Sequence, residues 1–98
     1  MNGDRRERQW RLEAAAALAR LPPSRIRRYV RLGLVRPAGY EGRVALFGDA
    51  ELARLRRLRR LSEDLGLNTA GVAVTIRLLD EIVRLQAQLR RSGRSRDA

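Results

Sequence analysis

Prolines and glycines interrupt this sequence and leave only four stretches long enough for a regular helix. Pro22 and Pro23 end the first stretch, because proline has no backbone N–H and the residue before a proline is disfavoured in the helical region. Residues 37–48 contain one proline and three glycines, which exclude a helix there, and Gly66 separates the last two stretches. The sequence therefore predicts helices over residues 13–20, 25–32, 49–65 and 70–91.

The first two predicted helices are short and almost contiguous. Residues 13–20 (EAAAALAR) are strong helix formers, and we expect Ser24 to cap the second helix. Ile26 and Tyr29 form the apolar face of that helix, and Gly33 stands where a helix commonly ends in a left-handed residue. Two short helices joined by a tight turn indicate a helix-turn-helix.

A short hairpin is expected directly after the helix-turn-helix. Residues 43–47 (RVALF) favour a strand, with either Leu34–Val35 or Ala38–Tyr40 as its partner. A hairpin in this place is the wing of a winged-helix domain. The predicted fold class is thus mostly α: a winged helix-turn-helix of about four helices and a short β-hairpin, with a long last helix.

Two apolar stripes run along the last predicted helix, which Asn68 or Thr69 is expected to cap. One stripe is expected to close the core and comprises Val72, Ile76, Leu79 and Val83. The other is rotated outward and comprises Leu78, Ile82, Leu85 and Leu89. The outward stripe has three interpretations: a dimer contact, a docking face for a partner helix, or a cover over the first helix.

The residue types present exclude several functional classes. All 22 basic residues are arginine, and the chain has no histidine, cysteine or lysine. Disulfides, thiol chemistry, histidine acid–base catalysis and the usual zinc ligand sets are therefore excluded. No apolar run is long enough to cross a membrane. We expect a cytoplasmic protein that is not an enzyme and that needs neither a cofactor nor a metal.

The positive charge is concentrated in the middle of the chain. Residues 20–60 hold twelve arginines and three acidic residues, whereas residues 61–89 hold two arginines and four acidic residues. A basic block of this size favours binding to double-stranded DNA. The candidate DNA-binding residues are Arg25, Arg27, Arg28 and Arg31 of the second helix and Arg43 of the hairpin.

Each group of arginines also has a purely structural interpretation. The arginines of the second helix could form a solvated basic face, and for Arg27 we favour a hydrogen bond inside the domain. The third helix carries a denser group, for which a solvated outer face is the favoured interpretation: Arg54, Arg56, Arg57, Arg59 and Arg60.

The order of these elements resembles the N-terminal module of MerR-type regulators. The resemblance rests on RIRRYVRLGLVRP at 25–37 and LFGDAELARLRRLRRL at 46–61. It implies one MerR-like winged-helix domain over residues 10–91, between a flexible basic tail over 1–9 and a disordered basic tail over 92–98. The hairpin sequence YEGRVALF departs from the family pattern, because it is poorer in basic residues than the usual DNA-binding wing.

Two narrower resemblances imply different functions. Residues 64–89 are similar to the CbpM chaperone modulators, which bind the J-domain of a DnaJ/CbpA-like co-chaperone; 67–72 and 78–82 carry this likeness. The segments RLGLVRP and LSEDLGLN resemble the HspR heat-shock repressors, which bind DNA.

The resemblance to CbpM implies a chaperone modulator, which is the function we favour. The resemblance to HspR implies a transcriptional regulator that acts as a homodimer. The implied partner-binding residues are Leu78, Asp80, Glu81, Ile82, Leu85 and Leu89.

Overall fold

Residues 8–97 are described by a computed structural model, so the predicted flexible tail lies outside the described residues over 1–7. The elements, in chain order, are α1 (Leu12–Ala19), α2 (Pro23–Arg31), β1 (Gly39–Glu41), β2 (Val44–Leu46), α3 (Asp49–Leu65) and α4 (Thr69–Asp97). The predicted fold class, a mostly helical winged helix-turn-helix with a long last helix, is confirmed. In this part of the chain no helix is both long and apolar enough to cross a membrane.

The start of α2 differs from the sequence prediction. Pro22 is the residue before the helix and Pro23 occupies its first position, so Ser24 lies inside the first turn and does not cap it. Proline is favoured at the first helical position, because its φ is already helical and its missing N–H has no partner to lose there. The prediction that Pro22 and Pro23 only end α1 was therefore wrong, because Pro23 also begins α2.

Arg20 ends α1 in an unusual conformation. Its φ of 62° and ψ of 44° place it in the left-handed region, and its N–H bonds the carbonyl of Ala16. A side chain with a Cβ is disfavoured in this region, whereas glycine is not. The tight turn between α1 and α2 thus stores backbone strain at Arg20.

Replacing Arg20 with glycine is expected to stabilise the protein by about 1 kcal/mol, because it removes the Cβ from a left-handed residue. Urea unfolding of Arg20→Gly measures this change. Arg20→Ala is the matched control, since it loses the same charge and keeps the Cβ. Equal midpoints for the two variants would contradict the assignment of strain to Arg20.

The end of α2 agrees with the prediction for Gly33. This residue has a φ of 74°. Its N–H bonds the Val30 carbonyl at 3.0 Å, and the next N–H, that of Leu34, bonds the Tyr29 carbonyl at 2.9 Å. These two bonds form a Schellman motif, which turns the chain sharply from α2 into the core.

Of the two predicted hairpin partners, the segment Ala38–Tyr40 is the one that pairs. Tyr40 lies opposite Ala45 in the antiparallel ladder, and Ala38 donates a hydrogen bond to the Leu46 carbonyl. Trp10 adds a bridge on the other side, exchanging two backbone hydrogen bonds of 2.8 Å with Phe47. The wing is thereby tied to the start of α1.

The core lies between α1, α3, the inner face of α2 and the first turns of α4. Its largest fully buried side chains are Tyr29, Phe47, Ile26, Leu34, Leu55, Leu58, Ile76 and Val72. Leu34, considered above as a strand residue, is buried here instead. The N–H of Gly48, at the start of α3, donates to Glu51 Oε1 at 2.8 Å and closes the first turn of that helix.

The helix α4 begins as predicted and continues further than predicted. Asn68 Oδ1 accepts from the Gly71 N–H at 2.8 Å and caps the helix. The inner stripe is buried only at its start, because Val83 is 55% exposed where α4 leaves the core. The helix runs to Asp97, past the predicted end at residue 91, because a single glycine, Gly93, is tolerated within a helix and no proline follows.

Candidate nucleic-acid interface and exposed face of the last helix

A groove opens between α2, the hairpin and the start of α1, with a volume of about 560 Å³. Its floor is apolar and includes Leu12, Val30 and Phe47. Three of the five arginines predicted to bind DNA line it, Arg27 and Arg31 from α2 and Arg43 from the hairpin. Two structural elements thus direct positive charge into one concave surface.

The structural role favoured above for Arg27 is not observed. The Arg27 side chain is exposed and forms no hydrogen bond with another residue in the described part of the chain. It lies one helical turn before Arg31, on the side of α2 that faces the groove. Arg28 is exposed and Arg25 half-buried, and neither lines the groove.

Two further residues of this groove were missed by the sequence reasoning. Tyr40 of β1 is 62% exposed and lines the groove, although it was considered only as a strand residue. Arg11 lines it as well and forms an ion pair of 2.6 Å with Glu41. An exposed aromatic at a hairpin was the available signal for Tyr40, whereas the Arg11 contact spans thirty residues of sequence.

The arginines of α3 do not form the simple solvated face that was favoured. Arg54 Nε donates to the Leu34 carbonyl at 2.8 Å, and its two terminal nitrogens donate to both oxygens of Asp80 at 3.0 and 2.9 Å. Arg59 pairs with Glu63 at 2.9 Å. Arg54 reaches the segment after α2 and the helix α4 because α3 packs against both, whereas Arg59 pairs with a residue one turn further along α3 itself.

The outward stripe of α4 is exposed as predicted. Leu78, Ile82, Leu85 and Leu89 have exposures of 60, 49, 44 and 71%. This exposure excludes the interpretation of the stripe as a cover over α1. Val74 and Val83 are also exposed and widen the apolar surface.

The two acidic residues implied above for partner binding, Asp80 and Glu81, are exposed, and each forms an ion pair with an arginine. Both oxygens of Asp80 accept hydrogen bonds from Arg54, so this carboxylate faces α3. Glu81 forms an ion pair with Arg84 on α4 itself.

Comparison with known proteins now identifies the family. The model of the MerR HTH family regulatory proteins matches residues 12–92, the whole fold from α1 through most of α4. The chain belongs to the MerR HTH family. The resemblance to MerR-type regulators drawn from the sequence is confirmed, and the family is one of regulatory proteins.

This MerR-family chain is also similar to the heat shock protein HspR of Streptomyces coelicolor. The two are 38% identical over 77 residues, which is 79% of this chain and 51% of that protein. The chain therefore spans about half the length of this relative, and the resemblance to HspR repressors is confirmed.

The ion pair between α3 and α4 of this MerR-family domain makes its stability sensitive to acid. Hydrogen bonds from Arg54 lower the pKa of Asp80 below its ordinary value of 3.8, and the charge of Arg54 adds to the effect. Asp80 therefore binds a proton less readily in the folded than in the unfolded state. The stability that ionised Asp80 gives the fold is fully present above the pKa that this group has in the unfolded chain. It is lost as the pH falls through the lower pKa that the group has in the folded protein.

Asp80→Asn is expected to lower the free energy of unfolding at neutral pH by up to about 1 kcal/mol, a modest effect because the pair is partly exposed. Denaturant unfolding of both proteins at several pH values measures the difference, which should vanish well below pH 3.8. Glu63→Gln, which removes the exposed pair on α3, is the control with the same charge change. A difference that persists unchanged in strong acid would contradict the role assigned to the Asp80 carboxylate.

Proposed function

We propose that this MerR-family protein is a DNA-binding transcriptional regulator of the HspR type. The observation that carries the proposal is the groove that Arg27, Arg31 and Arg43 line together. Helix-turn-helix proteins place their second helix in the major groove, and α2 stands in that position. The similarity to HspR supports a role in a stress or heat-shock response.

In this proposal the groove residues divide into two roles. Arg27 and Arg31 reach base edges, where an arginine can donate two hydrogen bonds to a guanine. Arg43 and the exposed Tyr40 hydroxyl, both on the hairpin, bind phosphates and set the register of the protein on the duplex. The few basic residues in the hairpin leave more of the affinity to α2 and to Arg11.

The proposal includes a homodimer held by α4. This helix has 29 residues and is about 43 Å long at 1.5 Å per residue. Its outward stripe leaves an apolar face uncovered well beyond the core. A two-fold dimer would present two α2 helices to the two halves of an inverted repeat.

Selection from a pool of randomised duplexes tests this function directly. Recovery of an inverted repeat with half-sites about one helical turn apart would support a dimeric regulator. Recovery of a single asymmetric site would contradict the dimer, and the absence of any enriched sequence would contradict specific DNA binding. The regulator is proposed to act in the cytoplasm.

A second candidate function is the one implied by the CbpM resemblance, binding of a DnaJ/CbpA-like J-domain. The specific observation in its favour is the exposed stripe on α4, formed partly by the residues that carry the resemblance (78–82). One observation weakens this second function: both oxygens of Asp80 already accept hydrogen bonds from Arg54, so fewer acidic groups are available to basic residues of a partner. The stripe and the groove occupy different elements, so the two functions are compatible.

Calorimetric titration with the J-domain of a DnaJ-like protein from the same organism tests this second function. The titration is done at salt of about 0.3 M, which screens non-specific attraction by the arginines. Saturable binding that is lost in Ile82→Glu and kept in Arg31→Ala would support a J-domain site on the stripe. The absence of binding, or equal binding by both variants, would contradict it.

A further inference from the structure

The segment that leaves α2 is held by arginines from two other helices. Arg77 of α4 donates through Nη2 to the Leu32 carbonyl at 2.9 Å, and Arg54 of α3 donates through Nε to the Leu34 carbonyl at 2.8 Å. Leu32 is the cap residue that follows the last residue of α2, and Leu34 lies two residues further on, after Gly33. The Leu32 carbonyl, at the C-terminal end of the helix, carries partial negative charge, which makes a guanidinium a favourable partner.

Arg54 is itself fixed in place by α4. Its two terminal nitrogens bind both oxygens of Asp80, so all three of its guanidinium nitrogens are engaged, and its side chain is only 28% exposed. A two-point arginine–carboxylate contact fixes orientation as well as distance. Asp80 lies three residues after Arg77, so one turn of α4 supplies both links.

These links act together with the apolar packing of α2. Its side chains Ile26 and Tyr29 are fully buried in the core, and its backbone packs closely against α1. The arginine bonds hold a different place, the segment that follows the last turn of α2, and they link it directly to α3 and α4. They therefore add a fixed point at the end of α2 that apolar packing alone does not supply.

We propose that Arg54 and Arg77 are positioning residues for DNA reading by α2. They fix the C-terminal end of that helix, with Asp80 holding Arg54, and they do not bind DNA themselves. The proposal rests on the DNA-binding function proposed above. It assigns to Arg54 a role opposite to that suggested by its place in the basic block, where it would be one more phosphate ligand.

Salt dependence separates a positioning residue from a phosphate ligand. Loss of one phosphate contact lowers the slope of log affinity against log salt by about 0.9 and weakens binding to every sequence. Arg54→Ala and Arg77→Ala are expected to keep the wild-type slope and to lose about tenfold in affinity for the selected site relative to a shuffled duplex. Arg60→Ala, on the exposed face of α3, is the control with the same charge change.

Three results would overturn the proposal. A lower slope with an equal loss on both duplexes would make Arg54 a phosphate ligand. An unchanged preference for the selected site, together with a lower unfolding temperature, would leave both arginines with a purely structural role. If Arg60→Ala lost as much of the preference for the selected over the shuffled duplex as Arg54→Ala does, the effect would come from the loss of any arginine on α3 and not from the anchoring of α2.

A measurement without DNA tests the anchoring of α2 independently of the proposed DNA-binding function. In the free protein, Arg54→Ala, Arg77→Ala and Asp80→Asn are expected to shift the amide resonances of residues 33–35 and to speed their hydrogen exchange. If these shifts occur and the wild-type protein shows no sequence preference, DNA reading is wrong and the anchoring of α2 stands. If residues 33–35 do not respond, the anchoring itself is wrong.

Discussion

The double variant Arg27→Ala, Arg31→Ala is expected to lose at least about thirtyfold in affinity for the selected DNA site, because it lacks both of the proposed base contacts. Each arginine that binds a guanine with two hydrogen bonds contributes about 1–3 kcal/mol of discrimination, so the pair accounts for about 2–6 kcal/mol. Both side chains are exposed, and the fold should be affected by no more than about 0.5 kcal/mol. Fluorescence anisotropy with a labelled duplex measures the affinity, and circular dichroism checks the fold.

The matched control for this variant is Arg90→Ala, Arg91→Ala. It removes the same two charges from exposed positions of α4, outside the groove. The control is expected to lose only the small, salt-dependent part of the affinity that comes from net charge. An equal loss in the two double variants would mean that overall charge, and not the groove, determines binding.

Leu55→Ala is expected to have the largest effect on stability. Leu55 is fully buried in the middle of α3, and a leucine-to-alanine change in a core costs about 2–5 kcal/mol through lost burial and the cavity left behind. Because small domains are stabilised by only about 5–15 kcal/mol, this change should lower the unfolding midpoint in urea strongly.

Leu65→Ala provides the control on the same helix. Leu65 is 59% exposed, so the same chemical change should cost less than about 1 kcal/mol. Unfolding midpoints that fall equally in the two variants would contradict the placement of α3, whose inner face forms the centre of the core.

The sequence predicted those features that depend on neighbouring residues. The left-handed turn at Gly33 and the cap by Asn68 both follow from residue types within one helical turn of a helix end. The outward stripe of α4 was predictable for the same reason, because helical periodicity alone separates it from the buried side of the helix.

Contacts between distant parts of the chain were not predictable in this way. Arg54 and Asp80 are 26 residues apart, and Arg77 and Leu32 are 45 apart, so no local pattern marks them. The resemblance to CbpM implied that Asp80 binds a partner, whereas the packing of α4 on α3 places its carboxylate against Arg54. The same packing ends before Val83, which explains why the inner stripe is only half buried.

The candidate DNA-binding groove combines features that local spacing predicted with features that depend on contacts between distant parts of the chain. Arg27 and Arg31 are one turn apart on α2, which the helical spacing predicted. Arg43 joins them only because the hairpin folds against the start of α1 through the Trp10–Phe47 bridge. Tyr40 faces the groove through its pairing with Ala45, a register that the sequence left open between two partners.

We propose above that this MerR-family protein reads DNA sequence with α2 and its wing. The most direct test measures its affinity for the selected duplex and for a shuffled one by anisotropy, over salt from about 0.05 to 0.2 M. We expect a preference for the selected duplex of about a thousandfold or more, retained at the highest salt. Equal affinity for both duplexes, falling steeply together as salt rises, would contradict it and leave only charge attraction.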